Sequence, residues 1–424
     1  MLGVILKFNF KITPIFDYNK SAWRYGDGIR AMIERSISAT IRKSAAQVPV
    51  VTLLGPRQAG KTALVRELFP EYTYVNLEDR SARELAENDY LGFFSRYPEP
   101  LIIDEVQRVP ELLSAIQVRV DEDRKKNGRF ILTLSHQPRL SEAVAQSLAG
   151  RTAVHTLLPL SFEEIKKAGK TESLDQSIVR GFMPGLYLDN ARDPHAYYRD
   201  CLDRYLERDL RQMISLRNPD AFLRFMTLLA GRTGRAVNLS GLSGEVGVSS
   251  ATLGEWLSVL EDSFVVFRLQ PYFSKVSRRI VKSPKVYFSE PGLAAYLLGI
   301  ETPRQASRDP LRGNLFENIV VLEAMKARLN AGREPNLFYT RTEKGVEVDL
   351  ILKKEGMLYQ YEIRSSMTPN REFSRNMRVF CDSEPDAGGM SVIYCGEPYD
   401  SYIGCRYVNY LDAAALIREA GQAV

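Results

Sequence analysis

Val48-Pro49-Val50-Val51-Thr52-Leu53-Leu54-Gly55-Pro56-Arg57-Gln58-Ala59-Gly60-Lys61-Thr62 is the stretch on which the reading of this chain turns. A short apolar, β-branched run follows Pro49, which sits at a strand start where a missing N–H is tolerated. The octet from Gly55 to Thr62 satisfies G-x-x-x-x-G-K-[ST], and Ala63, Leu64, Val65 and Leu68 then repeat with helical spacing. A glycine-rich turn can arise by chance, but strand, loop and helix in register argue for a phosphate site. Gly55 and Gly60 let the backbone wrap a phosphate, and successive N–H groups at a helix N-terminus favour its charge. The candidate nucleotide contacts are Gly55, Pro56, Arg57, Gln58, Ala59, Gly60, Lys61 and Thr62. Lys61 would reach the β- and γ-phosphates, and the Thr62 hydroxyl would ligate Mg²⁺.

Working outward, Ile33, Ile37 and Ile41 mark a helical pattern before the loop. Downstream, strands are expected at 72–77, 101–104, 130–134 and 154–158, separated by helical stretches, one beginning near Pro110. That alternation predicts an α/β fold with a parallel sheet covered on both faces. Leu101-Ile102-Ile103-Asp104-Glu105 is a buried-strand pattern ending in acid, about 40 residues after the loop, where polar groups would face the phosphates. Asp104 is the second candidate metal ligand. Glu105 is the candidate to orient and polarise the attacking water. Ser135 and, less directly, His136 are candidate γ-phosphate sensors. Arg151 is a candidate to stabilise transition-state charge, in its own chain or a neighbour's, although a surface arginine fits equally well.

Composition narrows the class. The chain has 424 residues, 45% hydrophobic and 26% charged, which calls for two or three globular domains. A formal net charge of +5 permits nucleic-acid binding without arguing for it. Four widely spaced cysteines and three histidines speak against a zinc site and fit a reduced, cytoplasmic setting. No run reaches the roughly 18 apolar residues of a membrane span.

The second half carries two further patterns. Residues 239–246 and 250–260 read as helices around a Gly247-Val248-Ser249 turn, with a strand at 263–269: a winged-helix layout. Its second helix lacks Lys and Arg, so any DNA contact would fall to the following basic segment, through Lys275, Arg278, Arg279, Lys282 and Lys285. A solvated loop explains that segment as well. Farther on, Asp349 lies 13 residues before Glu362, and Glu362-Ile363-Arg364 is expected on an adjacent strand, with Glu317 on a preceding helix. Two carboxylates plus a cation alternating on one strand face is how two-carboxylate Mg²⁺ nuclease sites are built. Arg364 stands where lysine is usual; guanidinium cannot act as a base, so ion pairing of the acids with Arg341 or Arg364 is the competing reading.

With GPRQAGKT, LIIDEVQRVPELLSAIQ, LPLSFEE, YLERDLR, LEDSFVV, KSPKVYF, GNLFEN and EVDLIL in order, the chain resembles prokaryotic AAA-like P-loop ATPases whose C-terminal half is a domain of unknown function. The resemblance implies ATP and Mg²⁺ as cofactors and a P-loop core over 29–160, after an N-terminal extension at 1–28. It also implies a helical segment at 161–215, a winged helix at 216–300 and a restriction-endonuclease-like α/β domain at 301–424. The expected activity is ATP hydrolysis driving a switch or motor on a partner, either double-stranded DNA or protein, in a homo-oligomer by analogy with the class. An ATP-gated nuclease and a regulatory module with an inactive nuclease-like domain are the alternatives. The chain departs from the family at Thr133-Leu134-Ser135 (usually T-G-S), at Glu290 (usually aspartate) and at Arg364.

Overall fold

In the computed structural model, residues 32–135, 148–206, 218–273, 281–400 and 404–421 are described. Five short strands open the fold: β1 (Val50–Leu54), β2 (Thr73–Asn76), β3 (Leu101–Asp104), β4 (Phe130–Leu134) and β5 (Thr152–Thr156). They pair in parallel in the order β2-β3-β4-β1-β5. β3 and β4 are buried along their whole length, as their unbroken apolar runs require when helices cover both faces. Ile103, Phe130 and Leu132 belong to the core on one side, with Leu112, Leu113, Ile116 and Val120 of helix Leu112–Glu122. Val51, Leu53 and Ile131 belong to the core on the other, with Ile37, Ile41, Leu64 and Val65. Fully burying each such side chain contributes roughly 1.5–3 kcal/mol. The parallel α/β sheet expected from the sequence is present.

Helices Phe162–Lys167, Leu174–Arg180, Pro184–Leu188 and Pro194–Arg204 follow. Each of the first two begins with a serine capping box, through Ser161 with Glu164 and Ser173 with Gln176. Helices Pro219–Ala230, Leu239–Val246 and Ser250–Asp262 come next.

Among the described residues, the remaining nine strands form one sheet. They are β6 (Arg235–Ala236), β7 (Val266–Pro271), β8 (Lys285–Phe288), β9 (Leu337–Arg341), β10 (Glu347–Lys354), β11 (Met357–Arg364), β12 (Ala387–Tyr394), β13 (Tyr399–Asp400) and β14 (Cys405–Asn409). Their order is β13-β14-β12-β11-β10-β9-β7-β8-β6, and the sheet passes without a break through position 300, because β7 pairs with β9 in parallel at Gln270 and Pro271. Helix Arg312–Asn330 is buried on nearly every side, its polar Asn318, Glu323 and Lys326 included. Its Asn318 side chain is buried and bonds like a strand to both backbone groups of Phe288, at 2.8 Å each. That amide fastens β8 to the helix. Glu290, at the family departure, is also buried; its carboxylate accepts from the Gly292 and Phe182 N–H groups and from Tyr198, and so caps helix Pro291–Leu297.

Candidate functional site

β1 ends at Leu54, and the chain turns at once through Gly55 at φ 149°, while Gly60 at φ 96° starts helix Lys61–Leu68. A Cβ on Gly55 would lie 2.1 Å from the Leu157 carbonyl oxygen, so only glycine lets the loop pass this close to the segment after β5. Lys61 is buried, and its ammonium donates to the Gly55 and Pro56 carbonyls at 2.8 and 2.9 Å. Burial lowers its pKa to about 8, against the pull of Glu105 and Asp104. A phosphate beside it would favour the charged form.

Parallel pairing of β3 with β4, and of β4 with β1, brings Asp104, Glu105 and Ser135 to the same end of the sheet as the loop. The Thr62 hydroxyl donates to the Asp104 carboxylate at 2.8 and 3.1 Å, Tyr74 donates to it at 2.9 Å, and Thr133 donates to its other oxygen. Burial raises the Asp104 pKa, and these three hydroxyls act against that. Glu105 sits in the left-handed region at φ 58°. Its carboxylate accepts from Ser135 and, at 2.5 Å, from Gln107. Thus Ser135 reaches Glu105 despite the leucine in place of the usual glycine. Thr62 and Asp104 offer the hydroxyl and carboxylate oxygens that suit Mg²⁺, which fills the rest of its shell with phosphate oxygens and water. Among the described residues no three His, Cys, Asp or Glu side chains converge on a metal position.

Two supports of the loop escaped the sequence reading. Arg35 is buried; it donates to the Ala59 and Leu158 carbonyls at 2.6 Å each and pairs with Glu164 at 3.1 Å. Tyr197 donates to the Gln58 side chain. Both contacts span more than twenty residues of sequence, so no local pattern announces them.

Arg151 takes the surface-arginine alternative within its own chain. Its carbonyl accepts from Val50 N–H, which puts it at the amino-terminal end of β1 and β5, away from the loop, and its guanidinium pairs with Asp121 at 2.8 Å. In its own chain it does not reach the phosphate site. His136 lies outside the described residues.

The C-terminal candidates do meet. Glu317, Asp349, Glu362 and Arg364 line one cleft of about 550 Å³ with Arg235, Arg341 and Glu347. Arg364 pairs with Glu362 and, at 3.5 Å, with Asp349, which also accepts from Ile363 N–H at 2.9 Å. Burial raises both carboxyl pKa values, against the pull of Arg364. Lys285 needs a correction. It is buried rather than available to DNA, and its ammonium lies 2.8 Å from Glu317 and 2.5 Å from Glu347. Lys282 is exposed; Lys275, Arg278 and Arg279 lie outside the described residues.

Family models match three successive stretches of the chain. An AAA domain model matches residues 47–166, and models for two domains of unknown function, DUF8612 and DUF4143, match 171–304 and 312–410. The uncharacterized protein Rv2008c of Mycobacterium tuberculosis is 34% identical over 370 residues, covering 86% of this chain and 80% of that protein. An uncharacterized protein of Haemophilus influenzae is 22% identical over 241 residues, 53% of this chain and 57% of its own. Among solved structures, a Walker-type ATPase of Pyrococcus abyssi aligns with a TM-score of 0.44 at 14% identity, over 65% of this chain and 99% of its own. Among the described residues no helix is long and apolar enough to cross a membrane. By its match to Rv2008c and its AAA and DUF4143 domains in order, the chain belongs to the family of AAA-like P-loop proteins that carry this C-terminal domain of unknown function.

Proposed function

We propose that this protein is a Mg²⁺-dependent ATPase that works as a nucleotide-driven switch on a partner, with double-stranded DNA the first partner to test. The arrangement of Thr62, Asp104, Glu105 and Ser135 around the phosphate loop carries this reading. In it, the loop amides and Lys61 hold the β- and γ-phosphates, and Thr62 and Asp104 hold Mg²⁺. Mg²⁺ supplies neutralisation of phosphate charge. Glu105, aimed by Ser135 and Gln107, orients the attacking water and takes up its proton. Arg151 can serve only from a neighbouring copy, so the reading includes a homo-oligomer in the cytoplasm.

The middle segment acts as a winged helix and the C-terminal one as a nuclease-like module. Arg341, Arg364 and Lys285 pairing with the cleft acids favours a binding role over phosphodiester cleavage. Exposed Lys282, with Lys275, Arg278 and Arg279, is the proposed DNA contact.

Steady-state ATP turnover with Mg²⁺, with and without double-stranded DNA at two salt concentrations, tests the reading. DNA stimulation that fades with salt supports phosphate contacts. Turnover indifferent to DNA redirects the search to a protein partner. Unchanged hydrolysis in Glu105→Gln would remove the assigned chemistry.

A further inference from the structure

We propose that Lys285 and Arg364 are resident cations standing where a nuclease-like site would hold divalent metal, so that the cleft clasps β8 to helix Arg312–Asn330 and β10 without metal. The cleft acids come from three elements within 312–410: Glu317 from helix Arg312–Asn330, Glu347 and Asp349 from β10, and Glu362 from β11. Lys285 comes from β8, outside that span, and bridges Glu317 to Glu347. Tyr287, two residues along the same strand, donates to Glu317 at 2.6 Å. Gly234, whose N–H bonds to Val286, closes over the same carboxylate; a Cβ there would lie 3.3 Å from it. Arg364 bridges the other two acids, Asp349 and Glu362.

The charges balance without metal. Glu317, Glu347, Asp349 and Glu362 are each paired with Lys285, Arg341 or Arg364, and Arg235 lines the same cleft, so four acids face four cations. A hard divalent ion needs several free oxygens and would have to expel an ammonium and a guanidinium to get them. Guanidinium cannot make way by losing its proton. The residues of this cleft therefore do not fit the metal that a nuclease-like fold implies.

The test needs neither nucleotide nor nucleic acid, so it is separate from the ATPase reading. Mn²⁺ binding by electron paramagnetic resonance and the melting temperature in EDTA or Mn²⁺ are compared for the full chain and for Asp349→Asn, Lys285→Met and Arg364→Met. The expected result is equal Mn²⁺ stoichiometry, and an equal melting shift on adding Mn²⁺, in wild type and Asp349→Asn. Lys285→Met should melt several degrees lower in EDTA and recover part of the loss in Mn²⁺, its freed acids now taking the ion. A Mn²⁺ site in the wild type that Asp349→Asn removes would overturn the proposal. So would Lys285→Met melting like the wild type in both solutions. If Lys285→Met does not fold, Arg364→Met, which frees Asp349 and Glu362, is read in the same way, and the wild-type comparison stands alone.

Discussion

The phosphate site and the C-terminal cleft both gather carboxylates at strand ends, yet they hold them by opposite means. Asp104 is held by three hydroxyls, and Glu105 by a hydroxyl and an amide. Neutral donors fix the direction of a carboxylate and leave its charge uncancelled. In the cleft, Glu317, Glu347, Asp349 and Glu362 are all held by ammonium or guanidinium. Ion pairs fix direction and cancel charge together. On the function proposed above, the first site keeps its attraction for a cation that arrives with a nucleotide; the second has already spent it on its own chain.

The sharpest way to break this contrast is to remove one cation from each side. Lys61→Ala should weaken ATP binding by about 100-fold or more, since it deletes charged contacts to phosphate. Lys285→Met should leave that affinity unchanged while costing about 3–5 kcal/mol of stability, the usual effect of breaking a buried pair. Calorimetric titration and chemical denaturation separate the two. Equal loss of ATP affinity in both variants would erase the distinction. Glu105→Gln sharpens the catalytic side: turnover should fall about 100-fold or more with binding retained, as expected when a positioned base is lost.

A smaller effect is expected at Arg35. Arg35→Ala releases the Ala59 carbonyl and should weaken ATP binding by roughly tenfold. Added guanidinium should restore part of the affinity, which a merely misfolded variant would not show. The cleft also predicts a pH dependence. Burial raises the folded pKa of Glu362 above its usual 4.5, so the folded state binds more protons than the unfolded one as pH rises past that value. Stability should fall as pH rises through that window, and Glu362→Gln should flatten the fall. Lys282→Ala should change stability by less than about 0.5 kcal/mol and, if DNA stimulates turnover, lower the salt slope by about one.

Legibility in the sequence followed the range of each interaction. The loop Gly55–Thr62, the strand Leu101–Asp104 and the helix pair at 239–262 were readable because their determinants are local periodicity and glycine geometry. Glu317, Asp349, Glu362 and Arg364 could be grouped from strand alternation and turn spacing. The basic segment was misread at Lys285 because a charge run looks solvated until its carboxylate partners, 32 and 62 residues away, are placed. For Arg151 the choice between the phosphate site and the surface stayed open, because strand spacing does not say at which end of the sheet a flanking residue falls.

By itself the sequence determined the parallel α/β class, the phosphate-binding octet and the acidic strand end, since these depend on neighbours within about a dozen positions. Tertiary structure alone decided that Arg35 supports the loop, that β7 joins β9 in one sheet, and that Lys285 neutralises the cleft. Those outcomes rest on which distant groups share a buried volume. Burial forces charges and backbone groups to find partners wherever the fold puts them.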